Sequence, residues 1–203
     1  MAYEYEIFLS YPRKGGVIPE WVSMHLKPML VDLLSTELGD EVGIFQDTQS
    51  IIPGDSWPDR LRQALAHSKC LVAVWAPAYF TSEWCCREFA VMLHRSQALG
   101  YPSVSNVAGL AIPINAWDGE CFPDCIRDIQ QLDCRKYVRR AEYFKSTEIY
   151  MNFEEDVRQW IPHLAKTIRK APPWNVDWTA EEWSAIPYQQ LLVESVLRKP
   201  SMA

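Results

Sequence analysis

No stretch of this 203-residue chain is apolar for long enough to cross a bilayer, and Met1 leads straight into a charged segment rather than a signal peptide. These two absences predict a cytoplasmic protein with no membrane partner. A surplus of positive charge is also lacking. Twenty Lys and Arg stand against 26 Asp and Glu, for a net charge of -6. Phosphate backbones are bound by cationic surfaces, so nucleic acid is excluded as the main partner. The local cluster Arg135, Lys136, Arg139 and Arg140 reads as a solvated face.

Several chemical signatures are missing as well. There is no Gly-x-Gly-x-x-Gly after the first strand and no Gly-Lys-Ser/Thr loop, which excludes a dinucleotide Rossmann fold and a P-loop ATPase. A Gly-x-Ser-x-Gly elbow is absent, and no Cys/His pair stands out. Cys121, Cys125 and Cys134 lack a second close-spaced ligand pair, so no metal site is expected. The six cysteines read instead as free thiols in a reducing compartment. Internal repeats and low-complexity segments are not found.

What remains is globular. Hydrophobic content of 48% with 23% charge suits one domain with an appendage. We place the domain at 1–170 and a Trp-rich C-terminal extension at 171–203, divided at Pro172 and Pro173. The domain is organised around residues 44–89. The apolar run Val42 to Phe45 ends on Asp47, and a loop with Ile51, Ile52, Pro53 and Gly54 follows. A helix is predicted from Asp55 to His67, opened by Asp55, Ser56 and Pro58. Cys70 to Trp75 is an uninterrupted apolar run of strand length. A further helix begins near Thr81 or Ser82 and runs to about Leu99. Buried strands joined by helical crossovers make a parallel sheet with helices on its faces, an α/β architecture.

The flanking elements fit that plan. Tyr5 to Tyr11 is a first strand suited to the sheet centre. Glu20 to Leu38 is an apolar-periodic helix with Pro28 as a kink and Gly39 as its stop. Ala108 to Ile114 reads as strand four, with Pro113 favouring a strand end or a sheet edge. Asp124 to Gln131 reads as a short helix and Cys134 to Val138 as a weak fifth strand. Tyr143 to Asn152 is ambiguous. Phe153 to Lys170 is an amphipathic helix with Pro162 as a defect. In the extension, Trp174, Trp178 and Trp183 form a strap over their own domain or a contact for another subunit, and Tyr188 to Arg198 is a possible helix.

Ligands of open parallel sheets bind beyond the carboxyl ends of the strands. That rule gathers Ser10, Arg13 and Lys14 after strand one, and Asp47 and the Ile51-to-Trp57 loop after strand two. Pro77, Tyr79, Phe80, Trp84 and Glu88 follow strand three; Asn115, Trp117 and Asp118 follow strand four. Aromatic planes, two cations and a helix-borne carboxylate suit a flat heteroaromatic ligand bearing phosphates.

Three of these stretches carry a resemblance. Phe8 to Tyr11 (FLSY), Asp47 with Ile52-Pro53-Gly54, and Ser82-Glu83-Trp84-Cys85-Cys86-Arg87-Glu88 resemble, in order, the three boxes of Toll/interleukin-1 receptor (TIR) domains. The match extends from Tyr5 to about Lys170. In the first box, Pro12-Arg13-Lys14-Gly15-Gly16 stands where the family often continues into an acidic residue. The resemblance implies a flavodoxin-like five-stranded parallel sheet flanked by helices. It also implies one of two functions. Some TIR domains are adaptors that associate through the second box, the BB loop. Others, common in bacteria and plants, cleave the nicotinamide–ribose bond of NAD as hydrolases or cyclases.

In those enzymes a helix-borne glutamate is essential, and its place is taken by Glu88. By the same resemblance Trp84 stacks on the nicotinamide. Phe8, Ser10 and Arg13 line the pocket, Arg13 or Lys14 meets the pyrophosphate, and Asp47 completes the substrate site. Ile51, Ile52, Pro53, Gly54 and Trp57 are assigned to assembly. The expectation is a stand-alone, bacterial-type effector of antiviral defence or immune signalling. Its substrate is NAD and it has no resident cofactor. Its partners are other TIR domains, in an oligomer or filament, and an activating sensor protein. The competing expectation is a non-catalytic adaptor.

Overall fold

The structure, a computed structural model, describes residues 2–14, 16–47, 57–101, 109–120, 122–140, 142–178 and 186–192. Five strands, β1 (Tyr5–Ser10), β2 (Ile44–Gln46), β3 (Ser68–Trp75), β4 (Ala111–Asn115) and β5 (Leu132–Asp133), form one sheet. Its order is β2-β1-β3-β4-β5, and every pairing is parallel. Six α-helical segments are described: α1 (Ile18–Trp21), α2 (Lys27–Leu38), α3 (Trp57–Ala66), α4 (Pro77–Phe80), α5 (Glu83–Ala98) and α6 (Glu148–Arg169).

Alternation along the central strands divides the core. Ile7, Leu9, Val72 and Val74 face one side, where they pack with Trp21, Leu30, Phe153 and Leu164 from α1, α2 and α6. Phe8, Leu71, Ala73 and Trp75 face the other, against Leu65 of α3 and Phe89 of α5. Trp75 meets Phe80, Phe89 and Phe122 edge-on. Both faces of β1 and β3 are covered, as the near-continuous apolar runs require.

Prolines account for several departures from the sequence reading. The expected single helix from Glu20 divides into α1, a wider π turn at Val22–Leu26, and α2. Lys27 N–H reaches back five residues to Val22 O, just ahead of Pro28. The extra residue absorbs the lost donor and the ring clash that Pro28 brings to the preceding turn. Gly39 ends α2 with φ of 73°, donating to Ser35 O. Pro113 lies within β4, and β4 is an interior strand. Even-numbered positions of β4 face β3, since Ala116 N–H donates to Trp75 O. Pro113 therefore turns its donorless nitrogen toward the β5 side, where pairing starts only at Ile114.

The fifth strand sits two residues earlier than expected. Leu132 and Asp133 pair with Ile114 and Asn115, and Cys134 N–H still reaches Asn115 O. Asp133 then caps Arg135 N–H and pairs with its guanidinium, so Arg135–Tyr137 turns away as a single 3-10 turn instead of a strand. The expected helix at Asp124 is likewise one turn, Asp124–Ile126. The ambiguous segment resolves into a 3-10 turn at Glu142–Ser146 and an early start of α6, where Thr147 Oγ1 accepts from Tyr150 N–H at 3.2 Å.

The extension lies against its own domain where it is described. Trp174 stacks on His67 and donates to Ala66 O at the end of α3. Trp178 receives the Arg95 guanidinium on its ring. Further on, Ile186, Tyr188 and Leu191 are buried beside α5, with Tyr188 held by Glu83 and Arg87. Of the possible helix from Tyr188 to Arg198, one 3-10 turn at Gln189–Leu191 and extended backbone at Leu192 are seen, and 193–198 lie outside the described residues. Trp183 lies outside the described residues. No helix among the described residues is long and apolar enough to cross a membrane.

Candidate active site

At the carboxyl end of β1, Ser10 is the last strand residue and points to the α5 side, two residues beyond Phe8. Across from it, α5 begins at Ser82, whose Oγ accepts from Cys85 N–H at 3.4 Å. This start sets Cys85 and Glu88, one turn apart, toward the strand ends. Ser10 Oγ donates to Glu88 Oε2 at 2.5 Å. The same Ser10 Oγ lies 2.9 Å from the hydroxyl of Tyr79, carried on α4 directly after β3. All three are buried: Ser10 is 2% exposed, Tyr79 0% and Glu88 6%.

Burial dominates the protonation of this cluster. Removal from water pushes the Glu88 carboxyl up to about 8. The bond from Ser10 opposes that rise, the Asp47 charge adds to it, and Arg13 works against it. Burial likewise holds the Tyr79 hydroxyl and the Cys85 thiol well above their ordinary values, so both stay neutral. Cys85 donates its thiol proton to Tyr11 O at 3.5 Å, a structural contact between helix and strand end. A carboxyl poised near neutrality inside a water-excluded cluster is the arrangement that general acid–base and charge-stabilising sites use.

The sequence-predicted residues separate into groups. Ser10 and Glu88 meet directly. Arg13 Nη1 and Asp47 Oδ2 meet each other at 2.6 Å, half-buried beside the cluster. A phosphate at Arg13 would therefore compete with Asp47. Phe8 lies deeper, stacked on Phe45 with centroids 5.1 Å apart, and belongs to the core. Trp84 is partly buried against the same core, one turn before Glu88. Lys14 is exposed. Asn115 is buried, its Oδ1 accepting from Trp117 N–H, while Trp117 itself is 47% exposed. Ile51, Ile52, Pro53 and Gly54 lie outside the described residues, as does the side chain of Trp57.

Tyr79 is the residue whose role the sequence did not reveal. It stands among the loop residues after strand three, but its pairing with Ser10 joins positions 69 apart. Grooves described elsewhere on the domain do not include Glu88. One, of about 450 Å³, lies beyond β3 between Trp75, Phe122, Ile126 and Arg127. The other, of about 710 Å³, lies at the amino ends of β1 and β3, bordered by Tyr3, Glu6, Lys69 and Trp174. Among the described residues, no three His, Cys, Asp or Glu side chains gather as ligands for a metal.

A family model for the TIR domain matches residues 7–146. The chain belongs to the TIR domain family. Within this TIR domain, a 55-residue stretch is 34% identical to a probable 2′ cyclic ADP-D-ribose synthase, BdTIR, from Brachypodium distachyon. That stretch is 27% of this chain, which spans about a quarter of the relative's length. Among solved structures, the TIR domain of the Toll-related receptor TRR-2 from Hydra magnipapillata is similar at 18% identity. It covers 76% of this chain and 98% of that one, with a TM-score of 0.44. The TIR domains of the activated Roq1 resistosome, bound to the pathogen effector XopQ, are also similar at 18% identity. They cover 82% and 85% of the two chains, with a TM-score of 0.39.

Proposed function

We propose that this TIR domain cleaves NAD at the nicotinamide–ribose bond, with Glu88 as the catalytic carboxylate. The observation that carries the proposal is the buried Ser10–Glu88 pair at the carboxyl ends of β1 and β3, where such sheets take their ligands. The similarity of one stretch to a probable 2′ cyclic ADP-D-ribose synthase supports this reading.

The chemistry asked of the residues is limited. The C1′–N bond breaks with its electron pair leaving on nicotinamide, which turns from a cation into a neutral amide. The ribose is left with oxocarbenium character. An ionised Glu88 holds the ribose hydroxyls and stabilises that charge in a site where few waters screen it. The cationic nicotinamide ribosyl group itself favours ionisation of Glu88 when it binds. Water attacking C1′ gives ADP-ribose and a proton; an internal nucleophile of the same molecule gives a cyclic product. Trp84 supplies a ring for stacking and Arg13 a cation for the pyrophosphate. The BB-loop residues Ile51, Ile52, Pro53, Gly54 and Trp57 join one domain to the next, in response to an activating partner, in head-to-tail contacts that can propagate. On this reading the protein acts in immune defence or cell death.

A second reading, a non-catalytic adaptor, is favoured by the small exposure of Glu88. NAD loss, with products resolved by mass, separates the two when wild type and Glu88→Ala are compared over a wide range of protein concentration. Nicotinamide release by wild type alone, with a rate per molecule that climbs with concentration, is expected. Silence of both proteins in a demonstrated assembly would establish the adaptor.

A further inference from the structure

The Tyr79–Ser10–Glu88 cluster has a proton count that depends on its charge. Its two hydrogen bonds, Ser10 to Glu88 at 2.5 Å and Ser10 to Tyr79 at 2.9 Å, form one chain of three oxygens. With Glu88 neutral, three O–H groups share two bonds, and one donor is left over: the buried Tyr79 hydroxyl, or a proton on Glu88 Oε1, the oxygen outside the chain. With Glu88 ionised, two O–H groups fill the two bonds. Tyr79 then donates to Ser10, and Ser10 donates to Glu88 Oε2. Among the described residues Ser10 is the sole hydrogen-bond partner of the Tyr79 hydroxyl, and Oε1 of Glu88 accepts no bond. A buried hydroxyl without an acceptor is costly, so Tyr79 donates to Ser10, Ser10 donates to Oε2, and any proton on Glu88 is confined to Oε1.

We infer that Tyr79 is a positioning residue which acts through Ser10: it orients the Ser10 hydroxyl onto Glu88 Oε2, fixes the ionised carboxylate, and leaves Oε1 for the substrate. The inference deepens the NAD-cleavage reading and rests on it for the substrate, but the hydroxyl chain itself does not. Tyr79 is well suited to the task. It sits on a single turn pinned at both ends by backbone bonds, Tyr79 N–H to Ala76 O and Ser82 N–H to Tyr79 O. Its ring is packed edge-on against Phe80. The ionisable groups facing Glu88 are Tyr79 from α4, Cys85 and Cys86 on its own helix, Asp47 after β2 and Arg13 after β1. Tyr79 alone among them reaches Glu88 through a hydroxyl.

The test is a titration of Glu88 by carboxyl-region infrared difference spectroscopy, assigned with Glu88→Gln, in wild type, Tyr79→Phe, Ser10→Ala and the double variant. Loss of a bond that favours the charged form raises the midpoint, here by about one pH unit in Tyr79→Phe. Ser10→Ala is expected to shift it at least as far, and the double variant no further than Ser10→Ala. In NAD cleavage, the deficit of Tyr79→Phe relative to wild type shrinks as pH rises past its new midpoint. An unmoved Glu88 midpoint in a folded Tyr79→Phe protein, or additive shifts in the double variant, overturns the inference. A deficit equal at every pH would reduce Tyr79 to packing. If wild type never cleaves NAD but the midpoints shift as stated, the chain of hydroxyls stands and the assignment of substrate falls.

Discussion

The two faces of the sheet each bury a titratable side chain, and the contrast between them separates a site from a core residue. On the α1, α2 and α6 face, His25 lies in the π turn with both ring nitrogens unbonded, edge-on to Phe144 and Tyr150. Burial holds its pKa below the ordinary histidine value, helped by Lys145 and opposed by Glu20. On the α3 and α5 face, Glu88 is also buried, but it is met by a serine that is met in turn by a tyrosine. Both are neutral near pH 7, for the same physical reason. Only the second is bonded to a chain of side-chain hydroxyls. Burial alone marks neither as functional; the hydroxyl chain does.

The contrast can be broken in order of expected effect. The largest change comes from the wholly apolar part of the first face. Phe153 is 0% exposed and touches the rings of Trp21, Tyr137, Phe144 and Tyr150. Truncation in Phe153→Ala is expected to cost about 3–5 kcal/mol in denaturant unfolding, through lost transfer energy and an unfilled cavity. A loss below about 1 kcal/mol would show that this face can collapse around the gap.

Next is Glu88→Gln, which keeps the shape and removes the titration. Folded Glu88 titrates at about 8, against 4.5 for a free glutamate. Between those values the folded chain keeps a proton that the unfolded chain has released. Wild type therefore loses stability relative to Glu88→Gln as pH rises through that window, on the order of 1 kcal/mol per pH unit. The contribution is whole below the unfolded value and gone above the folded one. A flat difference across pH 5 to 8 would place Glu88 in contact with water.

The smallest effect belongs to His25→Phe. A histidine whose pKa is lowered on folding binds its proton more weakly than the unfolded chain does. Wild type should lose stability relative to His25→Phe only as pH falls below about 6.5, by up to about 1 kcal/mol per unit until the folded group itself titrates. Equal stabilities at pH 5 and pH 7.5 would mean that the ring already finds a partner.

Much of this fold is legible in the chain because local pattern and burial agree. Cys70 to Trp75 reads as a buried strand from composition alone, and Ser82 marks the start of α5 by its side chain. Two motifs and one rule about strand ends bring Ser10 and Glu88 to the same end of the sheet. What is hidden depends on contacts distant in sequence. Cys134 to Val138 looks strand-like, yet Asp133 stops the ladder by turning onto Arg135. Pro28 announces a defect but not that the backbone will take in an extra residue ahead of it. Tyr79 reads as one aromatic among several until β1 and β3 lie side by side. His25 gives no signal at all, since a lone histidine at an apolar helical position has the pattern of the core around it.

The strand order has a kinetic consequence. No strand pairs through a tight turn: β1 must find both β2 and β3, and each partner arrives after a long excursion of chain. Closing such loops costs entropy before any ladder bond repays it, so refolding belongs on the scale of milliseconds to seconds rather than microseconds. The β1–β3 pair joins the two halves of the sheet. Until it forms, Ser10 and Tyr79 are strangers, and one edge of the first strand stays unpaired.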